Sequence, residues 1–116
     1  MFDLVFNNFT TDKKYGAGFF KKILTKAARR LGLKEKKLEL SINLVGEDRI
    51  KALNKKYRDK DKITDVLSFP LVNSRVDIKQ AKSGIIALGD IFICLPKARK
   101  YALQEGISLS LKLTFL

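Results

Sequence analysis

Near the start of the chain Phe2, Leu4 and Phe6 alternate with Asp3, Val5 and Asn7. A period of two with one apolar side predicts a short strand with one buried face. Thr10, Thr11 and Asp12 follow as helix N-caps. From Lys13 to Leu31 the residues Phe20, Ile23, Leu24, Ala27, Ala28 and Leu31 recur at three- and four-residue spacing, while Lys21, Lys22, Lys26, Arg29 and Arg30 take other positions. That spacing predicts an amphipathic helix with a basic side, stopped by Gly32. Leu38, Leu40, Ile42 and Leu44 then alternate with Glu39, Ser41 and Asn43, a second strand ended by Gly46.

Glu47 and Asp48 place negative charge where a helix begins, and Ile50, Leu53 and Tyr57 continue at helical spacing. Arg58 to Asp65 reads as a charged loop, and Val66 to Phe69 as a strand whose exit at Pro70 belongs near a sheet edge or end. Residues 73–84 are polar and aperiodic, as in a mobile connection. Ile85 to Leu88 and Ile91 to Cys94 are two apolar runs separated by Gly89 and Asp90, consistent with a buried strand or a tight strand pair. Pro96 opens a helix running to Glu105, closed by Gly106. Between Ile107 and Leu116 the strict alternation of Leu109, Leu111, Leu113 and Phe115 with polar residues argues locally for a strand.

Composition changes the picture in two ways. The 116 residues carry 24 Lys+Arg against 12 Asp+Glu, a formal net charge of +12, which favours an acidic partner such as nucleic acid. A merely solvated, lysine-rich surface accounts for the charge equally well. The chain has no histidine, so no Ser-His-Asp or Cys-His arrangement, imidazole base or His-ligated metal can be built from it alone. A single cysteine, Cys94, closes no intrachain disulfide and suits a reducing, cytoplasmic setting. The length suits one domain spanning 1–116, and no apolar run approaches the roughly 20 residues of a membrane span.

The stretch from Leu53 through Asn54, Lys55, Lys56, Tyr57, Arg58, Asp59, Lys60, Asp61, Lys62, Ile63, Thr64, Asp65, Val66, Leu67, Ser68 and Phe69 to Pro70 closely resembles the signature of the YbeY family, as does Leu88-Gly89-Asp90-Ile91-Phe92-Ile93-Cys94. These are bacterial endoribonucleases of ribosomal RNA maturation, and two long blocks in the right order make a specific match. The resemblance implies an α+β fold, a small mixed β-sheet flanked by helices with zincin-like hydrolase architecture. It implies single-strand endoribonuclease action in 16S rRNA 3′-end maturation and ribosome quality control, with ribosomal RNA and the small ribosomal subunit as partners, in the cytoplasm. In that family the next element is a helix with three histidines that bind a metal, usually zinc. No such pattern occurs in these residues, so the expectation is a domain incomplete at its C-terminus, with no metal ligand of its own and no catalysis as it stands. The family also makes 107–116 the first half of that helix, against its local alternation. The rival expectation is a non-catalytic basic RNA- or ribosome-binding protein.

By resemblance Arg58 is the catalytic candidate, a planar cation able to take two oxygens of one phosphate. Spacing alone would make it a solvated arginine within the run Lys55, Lys56, Arg58, Lys60, Lys62. Ser68 and Lys60 are candidate phosphate contacts, although a hydroxyl on a strand is more often simply paired. Thr64 and Asp65 read as loop organisers through side-chain to backbone bonds. Asp90 is either a turn residue or a group that would orient a ligand histidine. Cys94 reads as a small core residue. The α-helical face of Lys21, Lys22, Lys26, Arg29 and Arg30 could contact RNA backbone or be a soluble surface.

Overall fold

The computed structural model describes residues 2–30, 32, 37–71 and 85–106. The readings of 73–84 as a connection and of 107–116 as helix or strand lie outside them. The elements run β1 (Phe2–Asn8), α1 (Ala17–Arg30), β2 (Lys37–Val45), α2 (Glu47–Arg58), β3 (Val66–Pro70), β4 (Ile85–Cys94) and α3 (Leu95–Glu105). The strands form one mixed sheet in the order β1-β2-β4-β3. β1 and β4 flank β2 in parallel, and β3 runs antiparallel to β4 on the outer edge. Pro70, which cannot donate to a ladder, ends that edge strand. The chain therefore has the α+β mixed-sheet architecture expected of it.

Alternation along the strands divides the apolar residues between two faces. Leu38, Leu40, Ile42, Leu44 and Ile93 pack with Phe20 and Ala28 of α1 and with Leu95 and Ala98 of α3. Their immediate neighbours Val45 and Cys94 point the other way, into a smaller core with Ile50 of α2 and Leu67 of β3. Helices α1 and α3 thus cover one face, and α2 covers part of the other.

The two apolar runs of 85–94 are one strand with an extra residue. Glu39 pairs with Ala87, but the next residue, Leu40, pairs with Gly89, so the register shifts there. Without that shift strict alternation would send either Ile86 and Leu88 or Ile91 and Ile93 away from the larger core; with it, all four pack against the same core, Ile93 in its buried centre. Gly89 has φ +133° and lies so close to β3 that a Cβ would stand 2.2 Å from the Phe69 carbonyl oxygen.

Helix α1 begins at Ala17 and not near Lys13. Asp12 does not cap it: its carboxylate accepts the Lys14 N–H at 3.0 Å and pairs with Arg99 of α3. Gly16 disfavours earlier helix, and Tyr15 is instead drawn into the core against Phe19, ring centroids 5.0 Å apart. α3 starts one residue early, with Pro96 in its first turn and Gly106 in the left-handed conformation as its stop.

Gly89→Ala is expected to cost at least ~2 kcal/mol, through both the disfavoured φ and the collision with β3 backbone; a urea midpoint within error of the parent would contradict the bulge. Burial pushes the Cys94 thiol above its ordinary value of 9.0. The folded state therefore holds this proton more tightly than the unfolded state, and the stability it contributes is present below pH 9 and lost as pH rises past it. Native protein at pH 8 should resist a thiol reagent until unfolded; prompt labelling would contradict the burial.

Candidate functional site

At the C-terminal end of α2 and along the edge strand β3 lies an open groove of about 360 Å³, lined by Asn54, Arg58, Lys60, Lys62, Thr64, Val66, Leu67 and Ser68. Acidic Glu47 and Asp48 in the first turn of α2, and Lys55, Lys56 and Arg58 in its last turn, match the helix dipole at both ends. The helix stops because Asp59 adopts a left-handed conformation, φ 56°, unusual without glycine. The turn brings the N–H groups of Asp59 and Lys60 back to the Asn54 carbonyl.

Asn54 is what fixes the loop. It lies four residues after Ile50 on the buried side of α2 and is 4% exposed. Its Nδ2 donates to the Lys62 carbonyl at 3.0 Å. One side chain thus ties the cationic turn to the helix end that carries Arg58. Lys62 N–H donates to the Lys60 carbonyl at 3.0 Å and tightens the turn.

Arg58 is exposed yet held. Its Nη2 donates to the Ser68 carbonyl, and its guanidinium lies over the Phe69 ring, 5.5 Å from the centroid. Phe69 is itself wedged edge-on between Tyr57 and Phe92 at 5.2 and 5.8 Å. A guanidinium has five N–H donors, so one bond to Ser68 leaves most of the fork available to an anion. Neither ion pair seen among the described residues involves Arg58: Arg99 pairs with Asp12, and Asp61 with Lys51 at 4.0 Å, largely in solvent.

Of the residues singled out in the sequence, Arg58, Lys60, Thr64 and Ser68 share this groove. Ser68 is exposed and meets Arg58 through its carbonyl. Thr64 Oγ1 donates to the Val66 carbonyl at 3.5 Å, a long bond within the loop. Asp65 is beside the groove and not part of its lining; its carbonyl accepts the Cys94 N–H at 2.8 Å, stitching the loop to β4. Asp90 belongs to a different feature. Its carboxylate accepts from Ser41 Oγ, which accepts from Asn43 Nδ2 at 3.0 Å, while Asn43 Oδ1 accepts from Asn7 Nδ2 at 2.9 Å. This row crosses the sheet on the α2 face, with Asp90 as the cross-strand neighbour of Phe69.

Sequence reading passed over Asn54, Lys62 and Phe69. For Asn54 the available signal was a polar residue at a position in register with Ile50, Leu53 and Tyr57. For Phe69 there was none, because its value lies in a contact between α2 and β3.

The family model described as Endoribonuclease YbeY matches residues 6–116. The chain belongs to this family. It is 41% identical over 95 residues to the Endoribonuclease YbeY of Staphylococcus saprophyticus, covering 82% of this chain and 61% of that protein. Against the Endoribonuclease YbeY of Macrococcus caseolyticus it is 35% identical over 114 residues, covering 98% and 72%. Against that of Zymomonas mobilis, identity is 40% over 85 residues, covering 72% and 48%. The chain therefore spans between about half and three quarters of the length of these relatives. The solution structure of TM1509 from Thermotoga maritima superposes with a TM-score of 0.62 at 22% identity, over 95% of this chain and 63% of that one, and shares its fold.

The zinc implied by the family does not fit the described residues. Among them no group of three or more His, Cys, Asp or Glu could hold a metal ion. Cys94 is enclosed in the core, and Asp90 is engaged by Ser41.

Asn54→Ala should lower stability by about 1–3 kcal/mol, since it leaves the Lys62 carbonyl without its donor. Hydrogen exchange should quicken at Lys60 and Lys62 while the β2 amides keep their protection. A change spread evenly over the sheet would contradict a local clamp.

Proposed function

We propose that this chain is the phosphate-gripping part of a metal-dependent, single-strand endoribonuclease that acts in 16S rRNA 3′-end maturation and ribosome quality control in the cytoplasm, with ribosomal RNA and the small ribosomal subunit as partners. The observation that carries the reading is Arg58, braced by the Ser68 carbonyl and the Phe69 ring over an open groove shared with Lys60 and Lys62. A braced guanidinium loses little freedom on taking up a phosphate, and its planar fork can hold two oxygens of one phosphodiester and stabilise charge that develops there. Lys60 and Lys62 would add charge along the backbone, and Ser68 Oγ a neutral hydrogen bond. Thr64, Asp65 and Asp90 are positioning residues in this account, holding loop and strand and not the RNA.

Zinc enters the reading through the family alone. With no histidine in its 116 residues, the chain by itself is expected to bind RNA without cutting it. That same absence favours a second reading, a non-catalytic RNA- or ribosome-binding protein. The two separate on cleavage: RNA cut by this chain with added zinc overturns the binding-only reading and the claim that catalysis needs other residues.

Binding of a fluorescein-labelled single-stranded RNA, followed by anisotropy over a salt series, tests the grip. Arg58→Ala should weaken binding roughly tenfold at low salt and reduce the slope of log K against log[salt] by about 0.7. Arg58→Lys should keep the slope and still bind more weakly, because the charge remains while the fork is lost. Unchanged affinity in Arg58→Ala would remove the groove from the account.

A further inference from the structure

Helix α1 carries a second cationic surface: Arg29 and Arg30 in its last turn suit the helix dipole, but Lys21, Lys22 and Lys26 precede them with no acid in the helix to match. Gly18, Lys21, Lys22, Thr25, Lys26 and Arg29 recur at three- and four-residue spacing, share one side of the helix and line an open depression of about 410 Å³. The opposite side, through Phe20, Leu24 and Ala28, is packed into the larger core. Helix α2 is the internal comparison, with acids at its start and bases at its end. α1 has no acid in its first turn, nor anywhere in AGFFKKILTKAARR. Lys22 and Lys26 are like charges four apart, and Lys26 and Arg29 three apart, spacings at which repulsion weakens a helix. Among the described residues neither ion pair involves any of them; those pairs are Lys51 with Asp61 and Arg99 with Asp12.

We infer that the outward face of α1 is a second docking surface for RNA, taking the phosphodiester backbone along three successive helical turns. The inference rests on the RNA reading above and extends it to a separate face. The stripe from Gly18 to Arg29 is about 16 Å long, suited to a polymeric anion and too long for a single phosphate. α1 packs on the face opposite α2, and β1, which it contacts, lies at the edge of the sheet away from β3. The two edges are three strand spacings apart, ~14 Å, so RNA held at both surfaces must pass around the domain.

Other anions fit less well. A helix lying in a membrane interface needs its apolar side free, and that of α1 is spent on the sheet. A protein interface is built around exposed apolar anchors, and the large exposed hydrophobics among the described residues, Val5, Phe9, Tyr57, Leu71 and Leu103, all lie off α1.

The test uses the whole chain carrying Lys21→Gln, Lys22→Gln, Lys26→Gln and Arg29→Gln, with a fluorescein-labelled single-stranded 20-nucleotide RNA as the probe. Four lost phosphate contacts should reduce the salt slope by about 2.8, against about 0.7 for Arg58→Ala, and the two losses should add. An unchanged slope in the α1 variant with a reduced one in Arg58→Ala overturns this inference and leaves the groove intact. The reverse result removes the groove and leaves α1 standing. If circular dichroism shows the fourfold variant misfolded, Lys22→Gln with Lys26→Gln serves, with an expected loss of about 1.4. α1-dependent binding to phosphatidylserine vesicles without α1-dependent RNA binding also overturns the inference.

Discussion

Strand β4 has to serve two cores at once, and the extra residue between Ala87 and Gly89 is what lets it do so. It sits between β2 and β3, with Ile91 and Ile93 facing α1 and α3 and Phe92 and Cys94 facing α2. Strict alternation would have turned either Ile86 and Leu88 or Ile91 and Ile93 away from the larger core. The bulge corrects the phase, and the glycine at that point lets the β3 backbone approach closer than any side chain would permit. The site is built on the consequence. β3 sits tightly on β4, so Phe69 stands against Phe92 and offers its face to Arg58.

From there the chain of causes is short. Asn54 ties the loop to the helix, Asp59 turns the backbone left-handed, and the carbonyl of Ser68 receives the guanidinium. Each contact uses a backbone group or a ring, so the charge of Arg58 is positioned without being neutralised. An arginine satisfied by a carboxylate would be a structural ion pair; one satisfied by a carbonyl and an aromatic face keeps its net charge for a ligand. This distinguishes Arg58 from Arg99, which Asp12 occupies.

Much of this was legible in the residues. Period-two and helical spacings located β1, β2 and α2 because each turns a regular row of apolar residues to one side. The start of α1 was misread because Thr10, Thr11 and Asp12 have cap chemistry, while Tyr15 is drawn into the core and Asp12 to Arg99 by contacts distant in sequence. Phe69 as a platform and the row Asn7-Asn43-Ser41-Asp90 were equally hidden, since both depend on strand register. Arg58 was found through its motif, whereas local spacing pointed to an ordinary surface cation. Its bracing, which separates the two readings, is tertiary.

The account stands or falls on whether Arg58 itself meets phosphate. A nitrogen-edited NMR titration of the chain with single-stranded RNA, following arginine side-chain Nε–H resonances and backbone amides, asks this directly. The account predicts that the Arg58 Nε–H signal moves with the amides of Lys60 and Lys62, while those of Ser41 and Asp90 hold still. RNA that binds without disturbing Arg58, or that moves the Asp90 row and leaves the groove silent, would contradict it.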